Sequence, residues 1–290
     1  MKPTAFTYLQ AGSLAEALAA KALHGEEARF LAGGQSLVPA MNFRLAQPKM
    51  LIDIGRLEKL ASIAHDAVET RIGAVTTYRA LERDAALLAR FPIFADALPL
   101  IAHAQIRTRG TLGGNLAHAD PASEMPAIML ALGARFRVAS QAGERWIPAR
   151  DFFLGPLTTA LEKDELLVEI VLPAPAPATG TAFLEVSRRR GDFAMAGVAA
   201  FVTMTDGACS AARVALCGIS DRAVLARGAV SVVGSAGDAG SIATAAAEIA
   251  ADLDPPGSLQ ASAGYQRHLA GVLAHRALTR AFARAQGGEA

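Results

Sequence analysis

Short apolar runs separated by polar and glycine-containing segments open the chain and predict alternating helices and strands. Ser13 and Glu16 form a capping box ahead of an Ala/Leu-rich run, which predicts a first helix up to Leu23. Strands are predicted at residues 30–32, 50–54 and 71–74, where apolar residues cluster beside glycine. The opening order is therefore helix, strand, glycine turn and strand.

Helical spacing of apolar residues returns between residues 78 and 102, with interruptions at Pro92 and Pro99. Asp120 and Pro121 predict a helix start, with Asp120 as the N-cap and Pro121 at the first helical position. That helix is expected over residues 122–132, closed by Gly133. Residues 135–140 and 166–172 then read as strands.

A proline-rich segment, residues 173–180, interrupts regular structure and marks the expected boundary between domains 1–175 and 176–290. Beyond it, residues 182–187, 197–205 and 211–218 are predicted to form an antiparallel meander. Helices are expected at 241–253 and 265–285, the second with a stripe of large apolar residues. Strands followed by helices are typical of the α+β class.

Composition narrows the class of partner. The chain has 290 residues, 52% hydrophobic and 19% charged, which fits two domains with ample core. A formal net charge of +1 gives no electrostatic reason to expect nucleic acid or an anionic membrane as partner. The sequence shows neither a signal peptide core nor a long apolar span, so a cytoplasmic location is expected.

The chain has two cysteines, Cys209 and Cys217, both within a predicted strand. Two cysteines are too few for an iron–sulfur cluster or a four-cysteine zinc site. They are expected to be reduced, buried thiols.

Two glycine stretches hold the strongest functional signal. The first is Ala32-Gly33-Gly34-Gln35-Ser36-Leu37 and the second is Thr111-Leu112-Gly113-Gly114-Asn115. Paired glycines expose consecutive backbone N–H groups, as a bound phosphate requires, and two such stretches suggest two walls of one site. Neither stretch has the spacing of a Rossmann motif or a Walker P-loop, so another phosphate-binding fold is indicated.

The sequence evidence for other kinds of functional site is weaker. His118, Asp120 and Glu124 could be metal ligands, but helix capping and the helix dipole already explain both acids, so no metal site is predicted. Ser36 is not in a nucleophile elbow, and no catalytic residue is predicted. Arg188, Arg189 and Arg190 form either a solvated turn or a cationic loop that faces a redox cofactor or a partner.

Long segments around both stretches resemble a known family. Residues 32–42 and 106–124 are similar to the two FAD motifs in the FAD-binding medium subunits of molybdenum hydroxylases, the carbon monoxide dehydrogenase and xanthine dehydrogenase family. Similarity continues through Arg189 and residues 191–194 and spans nearly the whole chain. It implies a vanillyl-alcohol-oxidase (PCMH)-type FAD-binding fold with subdomains at about 1–55 and 56–175, followed by a smaller C-terminal α+β flavoprotein domain.

The resemblance also implies cofactor contacts. The first motif would wrap the FAD pyrophosphate and the second would complete the cradle, with further contacts from Asp120 and Glu124 and with Leu167 against the flavin ring. The family often has a lysine before the arginine turn, where this chain has Leu184 and Glu185, so Arg188 or Arg189 would supply the positive charge. Gln35 stands where a covalently attached FAD would need histidine, so noncovalent FAD is expected. The complete implied set is Ala32, Gly33, Gly34, Gln35, Ser36, Leu37, Ile101, Thr111, Gly113, Gly114, Asn115, His118, Asp120, Glu124, Leu167, Arg188 and Arg189.

By this resemblance the chain is an electron-transfer subunit of a larger oxidoreductase. A large molybdopterin subunit would oxidise the substrate, a small subunit with [2Fe–2S] clusters would relay electrons to FAD here, and the assembly would be a dimer of heterotrimers. One alternative is a stand-alone flavin oxidase or dehydrogenase with its own small organic substrate. Another is an assembly protein that has lost FAD, although the intact glycine motifs weigh against it.

Overall fold

The computed structural model describes residues 2–288, and it begins with a small parallel sheet. Its strands are β1 (Thr7–Gln10), β2 (Ala28–Leu31) and β3 (Met50–Asp53), in the order β1-β3-β2. Helix α1 (Leu14–His24) connects β1 to β2, and the short helix α2 (Leu37–Asn42) follows β2. The predicted cap at Ser13 is confirmed, since Ser13 Oγ accepts from the Glu16 N–H. Glu16 also reaches back, but its Oε2 accepts from the N–H of Gly12, one residue before the N-cap, at 2.7 Å.

An antiparallel five-stranded sheet forms the middle of the chain, in the order β4-β5-β10-β6-β7. Its strands are β4 (Ile63–His65), β5 (Glu69–Gly73), β6 (Arg135–Ser140), β7 (Gly143–Pro148) and β10 (Leu166–Pro173). A two-stranded ribbon, β8 (Phe153–Gly155) with β9 (Thr158–Thr159), lies between β7 and β10 in sequence.

Short helices fill the long segment between β5 and β6. They are α3 (Tyr78–Arg83), α4 (Ala85–Arg90), α5 (Ile93–Ala97), α6 (Ala104–Arg107), α7 (Leu112–His118) and α8 (Glu124–Leu132). The helical period over 78–102 is confirmed, but the first break falls at Asp84, whose carboxylate accepts from the Leu87 N–H and starts α4.

The predicted start of the α8 helix was wrong by two residues. Its N-cap is Ser123, and Asp120 instead closes the preceding turn by accepting from the Ala122 N–H at 2.9 Å. Pro121 therefore lies in that turn and outside the helix. The end of the helix at Gly133 is confirmed, with φ +66 at the glycine.

The C-terminal part is a four-stranded antiparallel sheet covered by two helices. Its strands are β11 (Thr179–Ser187), β12 (Ala194–Thr205), β13 (Ala208–Cys217) and β14 (Val224–Leu225), paired in that order. The helices are α9 (Ala239–Ala251) and α10 (Ala263–Ala285). The meander, both helices and the α+β class are thereby confirmed, and Cys209 and Cys217 are free, buried thiols of β13.

The two faces of this C-terminal sheet pack against different parts of the chain. Ala182, Val198 and Leu216 belong to the apolar core shared with α9 and α10. Phe183, Ala199 and Cys217 belong instead to the core built around the middle of the chain. Alternation along the strands thus places one face of the sheet on residues 56–175.

An ion pair also joins these parts. Both carboxylate oxygens of Asp96 on α5 accept from Arg284 on α10, at 2.7 and 2.9 Å. Among residues 2–288, no helix is both long enough and apolar enough to cross a membrane.

Candidate FAD site

The two glycine stretches are in direct contact. A Cβ built on Gly33 would lie 2.9 Å from the Arg109 carbonyl carbon and from the Gly110 Cα, and closer still to the Arg109 carbonyl oxygen. One built on Gly114 would lie 3.6 Å from the Ala32 Cβ. Glycine at position 33 is therefore required because two backbones meet there. The stretches form adjacent walls, as their shared composition suggested.

The first stretch presents backbone N–H donors that residues 2–288 leave without a hydrogen-bond partner. It connects β2 to α2, with Gly34 in the left-handed region at φ +74 and the Gln35 side chain donating to the Gly33 carbonyl at 2.9 Å. The N–H groups of Gly33, Gly34, Gln35 and Ser36 donate to no residue between 2 and 288. Four successive unpaired N–H groups are the donor set of an anion-binding nest.

The second stretch has a different structural role. It forms the first turn of α7, where Thr111 Oγ1 accepts from the Gly114 N–H at 3.1 Å. The Leu112 and Gly113 N–H groups donate to Thr76 and Ala74 carbonyls on the neighbouring segment. A Cβ on Gly113 would lie 2.6 Å from the Ala74 carbonyl oxygen. Packing against Ala74 thus explains that glycine, and its N–H is already used within the protein.

Asn115 fixes the end of α7 against the start of α8. Its amide donates to Ser123 Oγ at 2.7 Å and its carbonyl oxygen accepts from the same hydroxyl at 2.9 Å. His118 ends α7 and is partly exposed, while Asp120 lies in the turn between the two helices. No group of three or more His, Cys, Asp or Glu side chains suited to a metal ion occurs in the described part of the chain.

A buried acidic region lies beyond this turn. Burial raises the pKa of Glu124 to about 7, and the charge of Asp120 adds to the shift. Burial, followed by the charge of Glu124, raises the pKa of Glu185 on β11 to about 8. Neither oxygen of Glu185 has a hydrogen-bond partner within residues 2–288. Burial, then the charge of Glu124, also raises the pKa of Cys217, so these groups lie close to one another.

Tyr78 borders the same region. Its hydroxyl is buried and has no hydrogen-bond partner among the described residues; the Asn115 side chain lies nearby, outside hydrogen-bond geometry. Burial, and then the charge of Glu124, holds the Tyr78 pKa well above its ordinary value. Buried polar groups are nearly always paired, so the unpaired Tyr78 hydroxyl and Glu185 carboxyl make this region an exception in the described structure.

The remaining predicted contact residues differ in how exposed they are. Ile101 and Leu167 are 5% and 2% exposed and belong to the apolar core of the middle of the chain. The arginine turn packs against the loop before α6, since a Cβ on Gly191 would lie 2.7 Å from the Ala102 carbonyl oxygen. Arg188 and Arg189 lie 3.6 and 3.4 Å from Asp192, with more than half of each side chain exposed.

Sequence reasoning missed Tyr78 and Ser123 and assigned no role to the Glu185 carboxylate. Their significance depends on burial and on contacts between distant segments. The available signal was Glu185 itself, the one charged residue of the predicted strand 182–187.

Comparison with known proteins agrees with this geometry. The family described as FAD binding domain in molybdopterin dehydrogenase matches residues 4–175, and the CO dehydrogenase flavoprotein C-terminal domain matches residues 181–281. The carbon monoxide dehydrogenase medium chain of Afipia carboxidovorans is 39% identical over 287 residues, covering 99% of this chain and 100% of the relative.

Two further relatives act in other complexes. The 6-hydroxypseudooxynicotine dehydrogenase complex subunit alpha of Paenarthrobacter nicotinovorans is 38% identical, covering 99% of this chain and 97% of the relative. Caffeine dehydrogenase subunit beta of Pseudomonas sp. strain CBB1 is 43% identical over 222 residues, covering 76% of this chain and 75% of the relative.

Solved structures show the same fold. The matching chain in carbon monoxide dehydrogenase from Hydrogenophaga pseudoflava superposes with a TM-score of 0.95 at 38% identity, covering 98% of this chain and 99% of that one. The resemblance seen in the motifs is thereby confirmed, as is the PCMH-type fold it implied. The chain belongs to the FAD-binding medium subunits of molybdenum hydroxylases, the carbon monoxide dehydrogenase and xanthine dehydrogenase family.

Proposed function

We propose that this chain holds noncovalent FAD and passes electrons from the [2Fe–2S] clusters of a small partner subunit to an external acceptor. The observation that supports this most strongly is the row of four unpaired N–H groups from Gly33 to Ser36, placed against the second glycine stretch. A pyrophosphate satisfies such donors without a cationic side chain.

The predicted contact residues divide by what each offers. The first stretch offers N–H donors to the pyrophosphate, while Asn115, Asp120 and Glu124 offer polar atoms for the sugar and ribityl hydroxyls. Leu167 offers an apolar side chain to the ring, and Ile101 supports the loop on which the arginine turn packs. When bound, FAD supplies the capacity to accept and release electrons. The protein supplies position and surrounding charge.

The rest of the proposal concerns the assembly. A large molybdopterin subunit would oxidise the substrate, and two heterotrimers would pair in the cytoplasm. Full-length similarity to chains named as medium chain and complex subunit supports a role as one component of an enzyme. We assign no substrate-converting acid, base or nucleophile to this chain.

The FAD assignment is tested by cofactor content. We expect purified protein to be yellow and to release one equivalent of FAD on acid precipitation. Gly34→Val places a side chain at φ +74, with its Cβ 3.2 Å from Leu31 and 3.3 Å from Val38, so the loop must distort and FAD should be lost. Gly207→Val is the matched control, because it has φ +80 but nothing within 4 Å of its Cβ.

Three results would each overturn a part of the proposal. Colourless protein that cannot be reconstituted with FAD would refute cofactor binding, and equal FAD content in both glycine variants would refute the cradle. Rapid turnover of an organic substrate by the isolated chain would refute the relay role and favour a stand-alone flavin enzyme.

A further inference from the structure

The Glu185 carboxyl occupies an unusual place in the C-terminal sheet. Alternation along β11 puts it on the same face as Phe183, which packs toward residues 56–175. Its register partner is Gly197, which has no side chain to cover it. Both Glu185 oxygens are buried and lack a hydrogen-bond partner among residues 2–288. An acid in such a place is costly unless it is protonated or meets a ligand.

A second buried acid lies near enough for its charge to act on Glu185. Glu124, at the first turn of α8, is 6% exposed, and its charge acts on Glu185, Tyr78 and Cys217. The Tyr78 hydroxyl belongs to a side chain that is 3% exposed, and it too is without a partner in the described chain. The residue directly before Glu124 hydrogen-bonds with Asn115 of the second glycine stretch, which places this cluster beside the proposed FAD site.

The described part of the chain supplies no cation to this pair, since no salt bridge within residues 2–288 reaches Glu124 or Glu185. From β13, Glu185 is faced by Cys217, and from the turn before α8 the nearest charge is Asp120, which is also negative. Asp96 of α5 accepts from the Phe183 N–H two residues along β11, but Arg284 of α10 already pairs with it. Arg188, three residues beyond Glu185, lies toward Asp192.

Two neighbouring carboxyls in a buried region cannot both ionise easily, so near neutral pH the pair holds about one proton. Added negative charge nearby increases the pair's affinity for a second proton. We propose that Glu124 and Glu185 form a proton-sharing pair in the FAD site that takes up a proton when the cofactor is reduced. This inference rests on the proposed function.

The step balances. Two electrons arrive from the partner subunit's clusters, one additional proton comes from solvent to the pair, and that proton returns to solvent when the external acceptor reoxidises the cofactor. Glu185 acts only through the charge and the proton that it holds near the cofactor. The flavin itself accepts and releases the electrons.

The test is the pH dependence of the flavin midpoint potential in FAD-loaded protein. Between about pH 6 and pH 9, wild type should take up more protons per two electrons than Glu185→Gln, by up to one. The glutamine keeps the shape and cannot titrate. Glu58→Gln, at an exposed position outside the site, is the matched control and should keep the wild-type slope.

Equal slopes in Glu185→Gln and wild type, with FAD bound to both, would overturn the proton-sharing pair and leave the proposed function intact. Absence of FAD from wild type would instead overturn the proposed function. If the variant fails to fold or to bind FAD, infrared difference spectra of the wild-type protein on reduction give the answer. A protonated carboxyl band that changes on reduction supports the proton-sharing pair, and the absence of such a band refutes the pair.

Discussion

Gly33→Ala is the substitution that most sharply tests how the two glycine stretches are joined. The new Cβ would lie 2.9 Å from the Arg109 carbonyl carbon and from the Gly110 Cα, and nearer to the Arg109 oxygen. Carbon atoms in favourable contact are about 3.5 Å apart. The two backbones must therefore separate by at least about 0.6 Å, because neither neighbour is a flexible side chain.

The expected cost follows from overpacking. Forcing one methyl group into a closely packed region costs about 1–3 kcal/mol. In the free chain the stretches can separate and relieve part of this strain, whereas bound FAD requires both walls in place. Most of the cost should then appear in FAD binding, as an affinity about five- to 150-fold weaker.

Flavin fluorescence titration of the FAD-free chain gives the dissociation constant, and thermal unfolding gives the stability. Gly264→Ala is the control, since a Cβ at that position would meet nothing within 4 Å. A Gly33→Ala chain with wild-type FAD affinity and wild-type Tm would show that the stretches do not touch as described.

Further expectations concern stability and charge. Arg284→Ala should lower the free energy of unfolding by about 3 kcal/mol in denaturant titrations, because the largely buried Asp96 carboxylate loses both hydrogen bonds from Arg284 and keeps only the Phe183 N–H and the more distant Arg280. Arg150→Ala, at an exposed pair, should cost less than about 1 kcal/mol. The folded-state pKa of Glu185, about 8, exceeds the ordinary 4.5, so the folded chain binds more protons and its stability should fall as pH rises through that window. Glu185→Gln should lose less stability than wild type between pH 5 and pH 8.5, and an identical loss would contradict the burial of this acid. Arg189→Ala should lower the flavin midpoint potential while FAD stays bound. An unchanged potential would mean that Arg189 belongs to a solvated turn and does not act on the cofactor.

Local patterns predicted much of the fold. The capping box at Ser13 and the left-handed glycine after α8 are determined within a few residues, so both were found from sequence. The start of α8 was misplaced because Asp120-Pro121 has the composition of a cap. Tertiary contacts overrode that signal, since the Ser123 hydroxyl bonds with Asn115 and the chain turns once more before the helix begins.

The sequence alone located the candidate site but did not show what each residue does there. Both glycine stretches were identified, but their similar composition does not reveal that they have different roles. The first leaves its N–H groups free, while Gly113 is needed for packing on Ala74, a contact between segments distant in sequence. The state of Glu185 depends on burial by β12 and α8, which composition alone does not reveal.

In the proposed FAD site, Gly33, Gly34, Gln35 and Ser36 donate their backbone N–H groups to the FAD pyrophosphate. An experimental structure of the chain with FAD measures this directly. We expect pyrophosphate oxygens within about 2.7–3.2 Å of those nitrogen atoms. A pyrophosphate bound elsewhere, with the four N–H groups facing solvent, would contradict it.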